Sequence, residues 1–560
     1  MNKKADTNSP IDYRKTLNLP KTDFSMRAGL IQKEPEFLKK WQDDALYKEI
    51  RQKPHQKKPF ILHDGPPYAN GDIHIGHALN KILKDIIVKA KTMEGFDCLY
   101  IPGWDCHGLP IEHKLLKEQK KKKSDVDCVE FRKSAHDYAL KYVDIQREQF
   151  KRLGIFGQWD DPYLTLKPEY EFWILKSLAE LNQKGYIYRG LKPVNWCFQC
   201  ETALAEAEVE YENHVSSAVF VKFKINNPER LKGLPDKPLS VVIWTTTPWT
   251  LVANVAVAVH EAFQYSVLDL GEECVIMERS LARAALNKAG YDDVKSIQEV
   301  SGKDLTPLTY EHPFGIKTNC RIVAADYVTK EDGTGLVHTA PGHGQDDFIT
   351  GQKNQLDVLM PVNDKGVYTD QAGELAGQHV FKANQRILET LEANGQLFAQ
   401  EKLEHSYPHC WRCKNPIIFR ATKQWFLKID HEGLREKLIN VSKDDVQWIP
   451  PAGKERISAM VAGRPDWCLS RQRFWGVPIP ALKPKGSEEY YLYSDVIENF
   501  AEIVRKEGTN AWFEKDIKDI IPKGFKCPNT GDVAFDKSLD ILDVWFDSGV
   551  SHVAVSKGMN

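Results

Sequence analysis

The chain has 560 residues, 42% of them hydrophobic and 28% charged, with a net charge of −2. It is too long for one hydrophobic core, so three or more domains are expected. The composition is that of a soluble globular protein and argues against a disordered chain. No apolar run approaches the roughly 18 residues of a membrane span. A charge near zero excludes a globally basic nucleic-acid binder and leaves RNA contact to local patches. The stretch MNKKADTNSP has no apolar h-region, so no secretory signal is visible. Eleven cysteines are few for this length, and four form two CxxC pairs. That favours metal ligation in a reducing cytoplasm over a disulfide framework.

Residues 1–58 are polar and read as an N-terminal extension, with an amphipathic helix over 36–50 turning Phe37, Trp41 and Leu46 inward. Residues 59–190 read as the first half of an α/β domain. It opens on Phe60, Ile61 and Leu62, a run short enough for a buried parallel strand. A loop rich in Gly, Pro and Asn follows over 64–72. Leu79, Ile82, Leu83, Ile86, Ile87 and Ala90 then recur at helical spacing. In open α/β sheets ligands bind at the carboxyl ends of strands, and the following helix N-terminus suits phosphate. His74, Gly76 and His77 sit at that helix start. The two histidines, three apart, share a face, and Gly76 leaves room for a flat base or sugar. A bare HxGH also fits two surface histidines at a helix start; the whole string DGPPYANGDIHIGH is far more specific.

A second strand-like run, Cys98, Leu99, Tyr100 and Ile101, leads into the loop PGWDCHGLPIE. Lys114, Lys117 and the run from Lys120 to Lys123 form a basic patch, either a solvated face or an RNA contact. Helical patterns fill 125–190, with Trp173, Leu178 and Leu181 apolar. The first CxxC, Cys197 and Cys200, falls in a ribbon and linker segment over 191–215. From 216 the texture becomes β-rich: Val219, Val221, Phe223 and Ile225 alternate with polar residues, and Gly and Pro punctuate the chain to 400. This reads as a domain inserted between the CxxC pairs. The ribbon returns over 401–425 with Cys410 and Cys413. Helical and mixed patterns fill 426–560, where SLDILDVWFDSGV reads as a core strand with a loop at its carboxyl end.

Two CxxC pairs supply four thiolates with knuckle spacing, and S₄ coordination favours zinc. Four unrelated buried thiols are the alternative. Cys527 has no CxxC partner and is assigned nothing. In the insertion, WTTTPWTL sets the hydroxyls of Thr245, Thr246 and Thr247 beside a rigid proline, although threonines in a strand often reflect β-propensity alone. GTGLVHTAPGHGQDDF adds His338, His343, Asp346 and Asp347 on a Gly-rich loop. There is no 20–50-residue repeat, and neither a Walker A nor a GxGxxG motif occurs.

PPYANGDIHIGHALN resembles the adenylate-forming signature of class I aminoacyl-tRNA synthetases, in its isoleucyl-tRNA synthetase form. The resemblance runs over nearly the whole chain. The family's second signature, KMSKS, does not occur before Asn560, so the chain reads as an N-terminal portion. The resemblance implies a Rossmann-like parallel-sheet α/β catalytic domain, interrupted by a β-rich editing domain and carrying a structural zinc ribbon. It implies ATP-dependent activation of isoleucine, transfer to tRNA-Ile and hydrolytic editing of misactivated valine, with ATP, Mg2+ and Zn2+ involved. The expected partners are isoleucine, ATP and tRNA-Ile, with no membrane, for a cytoplasmic monomer.

Residue by residue, the resemblance makes His74 and His77 catalytic and, with Gly76, ATP-binding. Asp105 takes the amino acid's ammonium, although a turn-capping role also fits it. Pro66, Pro67, Tyr68 and Trp545 line the amino-acid pocket; Trp545 also fits a core position. Thr245, Thr246, Thr247 and Asn254 hold the editing pocket and its water. Asp347 captures the ammonium of a misattached valine, and His338 discriminates by size. Cys197, Cys200, Cys410 and Cys413 ligate zinc. The competing readings are a valyl enzyme, disfavoured by DGPPYANG and GWDCHGLPIE, and a tRNA-binding or editing fragment without ligase activity.

Overall fold

The longest regular element near the start of the chain, the helix Ile75–Met93, takes its orientation from its charges. Lys81 reaches the carboxylate of Asp64 and donates to the Tyr100 hydroxyl at 2.9 Å. Lys84 binds the same carboxylate at 2.6 Å. Asp85 accepts from the Phe156 amide at 2.9 Å and from Lys89 at 2.6 Å. Lys81, Asp85 and Val88 are therefore the buried positions. The apolar series Leu79, Ile82, Leu83, Ile86 and Ile87 is exposed, so the spacing locates the helix but not its buried face. A helix cannot turn both sets inward. Buried charges have to keep their partners, because an orphaned charge away from water is very costly.

The computed structural model describes residues 12–19, 22–23, 27–54 and 57–558. They divide into two units. The first takes Met1–Asp64, Asp72–Pro102 and Asp144–Asp161. Here the expected helix over 36–50 is two helices, Leu30–Asp43 and Leu46–Gln52, broken where Ala45 takes a left-handed φ of 48°. Trp41 packs edge-on against Phe156 and Leu46 is half-buried, but Phe37 faces solvent. The expected strand at Phe60, Ile61 and Leu62 is reduced to one parallel bridge, Pro59 with Asp97, and Ile61 is 83% exposed. Phe60 donates to the Asp97 carbonyl at 2.9 Å. Residues 98–101 form no ladder, although Cys98 and Tyr100 are buried.

The second unit takes Gly65–Gly71, Gly103–Val143 and Pro162–Asn560. It opens on parallel pairing: Tyr68 bridges Asp105, and Gly103–Trp104 pairs with Tyr163–Leu164. A Cβ on Gly103 would lie 1.9 Å from the Tyr163 ring, so only glycine allows this approach. A four-stranded sheet runs Trp467–Cys468, Ile418–Leu427, Ile187–Cys197, Thr202–Leu204. The chain then leaves through the strand Val209–Lys224 and returns through Leu397–Cys410. These two pair antiparallel from Val221 opposite Leu397 to Val209 opposite Cys410. They belong to a ten-stranded, mixed sheet whose strands all fall between Val209 and Cys410. Its core takes the alternating Val219, Val221, Phe223 and Ile225, and the apolar face of the helix Val380–Ala393.

Near Asn560 the strand is short, Ile541–Leu542, and pairs with Ser470–Arg471. A helix, Val544–Gly549, follows it where the sequence suggested a loop. Asp543 explains the difference: its carboxylate accepts from the Trp545 amide and caps the helix. No helix among the described residues is long and apolar enough to cross a membrane.

Candidate functional site

His74 is the N-cap of the helix Ile75–Met93 and not a member of its face. Its Nδ1 accepts the Gly76 amide at 3.1 Å, and the Nδ1 of His77 accepts the His74 amide at 3.4 Å. The two rings stack with centroids 3.8 Å apart. A Cβ on Gly76 would lie 3.0 Å from His74 Cε1, so glycine serves the cap itself. Because each Nδ1 is an acceptor, each neutral ring carries its proton on Nε2. Burial, with His74 and Lys81 nearby, pushes His77 down to about 4, so it is neutral at pH 7. The result is two fixed N–H donors at a helix N-terminus, where unpaired amides also favour anions.

In the second unit, Asp105 is buried, and its backbone is held by the Pro67 carbonyl at 2.9 Å and the Ala69 amide at 3.0 Å. Its Oδ2 accepts from Ser548 Oγ at 2.6 Å. Ser548 lies on the short helix that carries Trp545, which is 40% exposed and so not a core residue. Tyr68 is half-buried against Trp411, and burial raises its hydroxyl. Pro67 is buried and Pro66 half-buried. Two neighbours were not singled out from the sequence. Trp475 donates from Nε1 to the Cys106 carbonyl at 2.6 Å, and Ser548 reaches Asp105 across 443 residues of sequence. The string DVWFDSG contained Ser548, but local spacing gave no signal for its partner.

The insertion brings Thr245, Thr247, Asn254 and His338 into one network. Tyr310 donates to Asn254 Oδ1 at 2.5 Å, which orients the amide. Asn254 Nδ2 then donates to His338 Nδ1 at 2.9 Å. His338 Nε2 is therefore the protonated nitrogen and donates to Thr250 Oγ1 at 2.9 Å. Thr250 passes its own proton to the Thr247 carbonyl at 2.8 Å. The Thr247 hydroxyl lies 3.2 Å from that of Thr245 and 3.3 Å from that of Thr250. Burial, with His343 and His312 nearby, pushes His338 down to about 3. With both nitrogens engaged and no charge, His338 orders this site and is no free base. Thr246 is half-buried beside it in sequence. Thr250 and Tyr310 were missed by sequence reasoning; Thr250 lay within WTTTPWTL, whereas Tyr310 gave no signal.

The expected Gly-rich loop is more ordered than its sequence suggested. His338 lies in the strand Val337–Thr339, and Asp346 and Asp347 open the helix Gln345–Lys353. Only the intervening stretch is loop. Asp347 folds back so that Oδ2 accepts the Ala340 amide at 2.8 Å. Gly344 permits this, since a Cβ there would lie 2.9 Å from Asp347 Cγ. Burial pushes Asp347 up to about 6, with Asp346 adding to the rise. His343 stands apart from the network: its Nδ1 bonds the Phe419 carbonyl at 2.9 Å and its ring packs on Trp249.

Cys197, Cys200, Cys410 and Cys413 converge so that all four sulfurs lie within 4.8 Å of one another. Cys197 and Cys413 are 3.5 Å apart, and all four are free thiols. A tetrahedron with Zn–S bonds of ~2.3 Å has edges of ~3.8 Å, so the group fits zinc. Each CxxC turn is followed by a residue at positive φ, Glu201 at 52° and Lys414 at 59°. Three of the four cysteines are buried among Leu109, Leu204 and Ile417, away from the polar network of the insertion.

Residues 36–559 match the family model described as tRNA synthetases class I (I, L, M and V). An isoleucine–tRNA ligase of Petrotoga mobilis is 51% identical over 546 residues, which is 98% of this chain and 58% of that protein. One of Caldicellulosiruptor bescii is 49% identical over 97% of this chain and 59% of its own length. One of Thermotoga neapolitana is 50% identical over 97% of this chain and 58% of its own. The chain thus spans somewhat under two thirds of the length of these relatives. The mixed α/β architecture with its β-rich insertion is that of the matched family, and the chain belongs to the class I tRNA synthetases of the isoleucine, leucine, methionine and valine group.

Proposed function

We propose that this chain carries the amino-acid-activating residues and the editing residues of an isoleucine–tRNA ligase. The observation that supports this most directly is the 51% identity to a curated isoleucine–tRNA ligase over 98% of the chain. Activation joins the isoleucine carboxylate to the α-phosphorus of ATP as the bond to the β-phosphate oxygen breaks and pyrophosphate leaves, and the protein's part is alignment and charge stabilisation. The Nε2–H groups of His74 and His77 donate to phosphate oxygens, with Gly76 keeping the pair closed up. Magnesium, when bound with ATP, would neutralise further phosphate charge. Asp105 takes the isoleucine ammonium, and Pro66, Pro67, Tyr68 and Trp545 wall the side chain. Zinc on Cys197, Cys200, Cys410 and Cys413 would be structural.

A pocket for isoleucine discriminates against valine by only one methylene, about 1–3 kcal/mol, and this pair of amino acids is the standard illustration of that limit. The insertion answers it with hydrolysis. Thr245, Thr246, Thr247 and Asn254 position a water and the ester. His338, held neutral by its two bonds, sets the pocket's size, and Asp347 holds the ammonium of the misattached valine. The partners on this reading are isoleucine, ATP and tRNA-Ile, in the cytoplasm.

Calorimetric titration with non-hydrolysable isoleucyl- and valyl-adenylate analogues tests the reading. The isoleucyl analogue should bind about 10–200-fold more tightly. Asp105→Ala should weaken it by the value of a charge-assisted hydrogen bond, about 1.5–3 kcal/mol. A preference for the valyl analogue would make the chain a valyl-type enzyme. Binding of neither, with deacylation retained, would leave an editing piece alone.

A further inference from the structure

His107 lies two residues after Asp105 and is completely buried. A buried histidine is usually either packing or a neutral hydrogen-bonding group. Here both nitrogens face carboxylates: Nδ1 is 2.9 Å from Asp547 Oδ2 and Nε2 is 3.4 Å from Glu171 Oε1. A neutral imidazole would have to turn a lone pair toward one of them. Burial opposes the charged ring, but the bonds and charges of Asp547 and Glu171 outweigh it and push His107 up to about 9. Asp547, raised to about 6 by its own burial, is still ionised at pH 7. The pair is an imidazolium–carboxylate contact.

Its placement matters more than its charge. Asp547 and Ser548 are consecutive on the helix Val544–Gly549, and Ser548 donates to Asp105. The loop therefore grips the helix at two points, Asp105 on Ser548 and His107 on Asp547. Glu171 ties the same imidazole to the helix Pro168–Gln183. Its own carboxylate is fixed by the Thr509 amide at 3.0 Å and hydroxyl at 2.6 Å. The Tyr170 hydroxyl donates to the Asp547 carbonyl at 2.8 Å and holds the helix from the other side. Trp475 closes the ring edge-on at 5.0 Å.

We propose that His107 is a positioning residue for amino-acid binding, its Nδ1–Asp547 bond fixing the helix that presents Ser548 to Asp105 and carries Trp545. This rests on the reading of Asp105 and Trp545 as amino-acid contacts. On it, the bond to Asp547 is the functional one, and the contact with Glu171 supplies support.

Two variants separate these halves. His107→Asn places an amide N–H near the Nδ1 position and keeps the bond to Asp547. His107→Gln places one near Nε2 and keeps only the side toward Glu171. Each is titrated calorimetrically with a non-hydrolysable isoleucyl-adenylate analogue and, separately, with a non-hydrolysable ATP analogue, after thermal melting shows it folded. The Asn variant should bind the adenylate analogue within about threefold of the parent. The Gln variant should lose about tenfold or more, the scale of one charge-assisted bond, while ATP-analogue affinity stays level in both. Equal losses in both, or none in either, would overturn the proposal, because a packing role does not distinguish the two ends of the ring. Should neither variant fold, Asp547→Asn decides: it keeps the volume, and unchanged adenylate affinity there would sink the idea. If the parent chain itself does not bind the isoleucyl analogue, the functional reading falls first.

Discussion

Two neutral histidines in this chain, His77 and His338, are held neutral mainly by burial, and they do opposite things. His77 spends its Nδ1 on the backbone and keeps Nε2–H at a helix N-terminus. His338 has both nitrogens occupied, one by Asn254 and one by Thr250. The first is a donor; the second is a strut. Within the second unit, the insertion and the surroundings of Asp105 differ in a similar way. The His338 network closes within the insertion, from Tyr310 through Asn254, His338 and Thr250 to Thr247. Asp105, by contrast, depends on Ser548, which the fold brings to it from the far end of the chain. Chemistry contained within one inserted sheet should tolerate damage elsewhere, whereas chemistry assembled from distant segments should not.

The largest test of that contrast is the cysteine cluster, at the base of the ladder where the insertion leaves and returns. Four thiolates holding zinc would contribute folding free energy directly. Protein purified without added metal should carry one zinc per chain, and Cys410→Ser should lose the metal and melt several degrees lower. The comparison adds that hydrolysis of valyl-tRNA at temperatures where the variant is folded should survive better than binding of the isoleucyl-adenylate analogue. Zinc near zero in a folded parent protein would end the assignment. Equal loss of both functions would show that the insertion is not self-contained.

The second test lies inside the insertion. Asp347→Ala removes the carboxylate proposed to hold the ammonium, so the ester carbon drifts from the positioned water. Misplacement on the order of 1 Å costs about 10²-fold. Deacylation of valyl-tRNA-Ile should fall by about that factor, with no change in adenylate-analogue binding. At low salt and high enzyme concentration weak RNA affinity is offset, since phosphate contacts strengthen as salt falls. Retained deacylation would mean that Asp347 caps the Ala340 amide and does nothing more.

What the sequence made legible divides along the same line. The strings DIHIGH, WTTTPWTL and VHTAPGHGQDD are local: the structure stacks His74 on His77 and joins Thr245, Thr247 and Thr250 to His338, while His343 and Asp347 bond elsewhere. Each CxxC pair could be read at sight, and the pairs meet. Several of the failures are long-range. Hydrophobic spacing finds the helix Ile75–Met93 but not its buried face, because no periodicity records that Lys81 pairs with Asp64 or that Asp85 takes the Phe156 amide. Phe60, Ile61 and Leu62 look like a strand but meet only one bridge. Tyr310, 56 residues from Asn254, decides which way that amide points and hence which nitrogen of His338 carries the proton. No local pattern announces such a residue.

The smallest expected effect is also the most specific. Burial pushes Asp347 up to about 6, close to the working pH. If its ionised form holds the substrate ammonium, deacylation should fall as pH drops from 7 to 5, by about tenfold with a midpoint near 6, since each unit below the pKa cuts the carboxylate about tenfold. His338, near 3, stays neutral throughout and adds nothing to the profile. Asp347→Asn should be weak and flat across the range. The stability consequence has the opposite sign. The folded value lies above the unfolded one of about 3.9, so the native state binds more protons between about pH 4 and 6. Stability due to this group therefore decreases as pH rises through that window and is level above it. The Asn variant lacks that loss, so at pH 7 it should melt no lower than the parent, while at pH 4 the advantage disappears. An Asn variant that melts lower at pH 7 than at pH 4 relative to the parent would show that the carboxyl is not raised, whereas an activity profile unchanged by the substitution would remove Asp347 from the ammonium site and leave the insertion's hydroxyls without their proposed anchor.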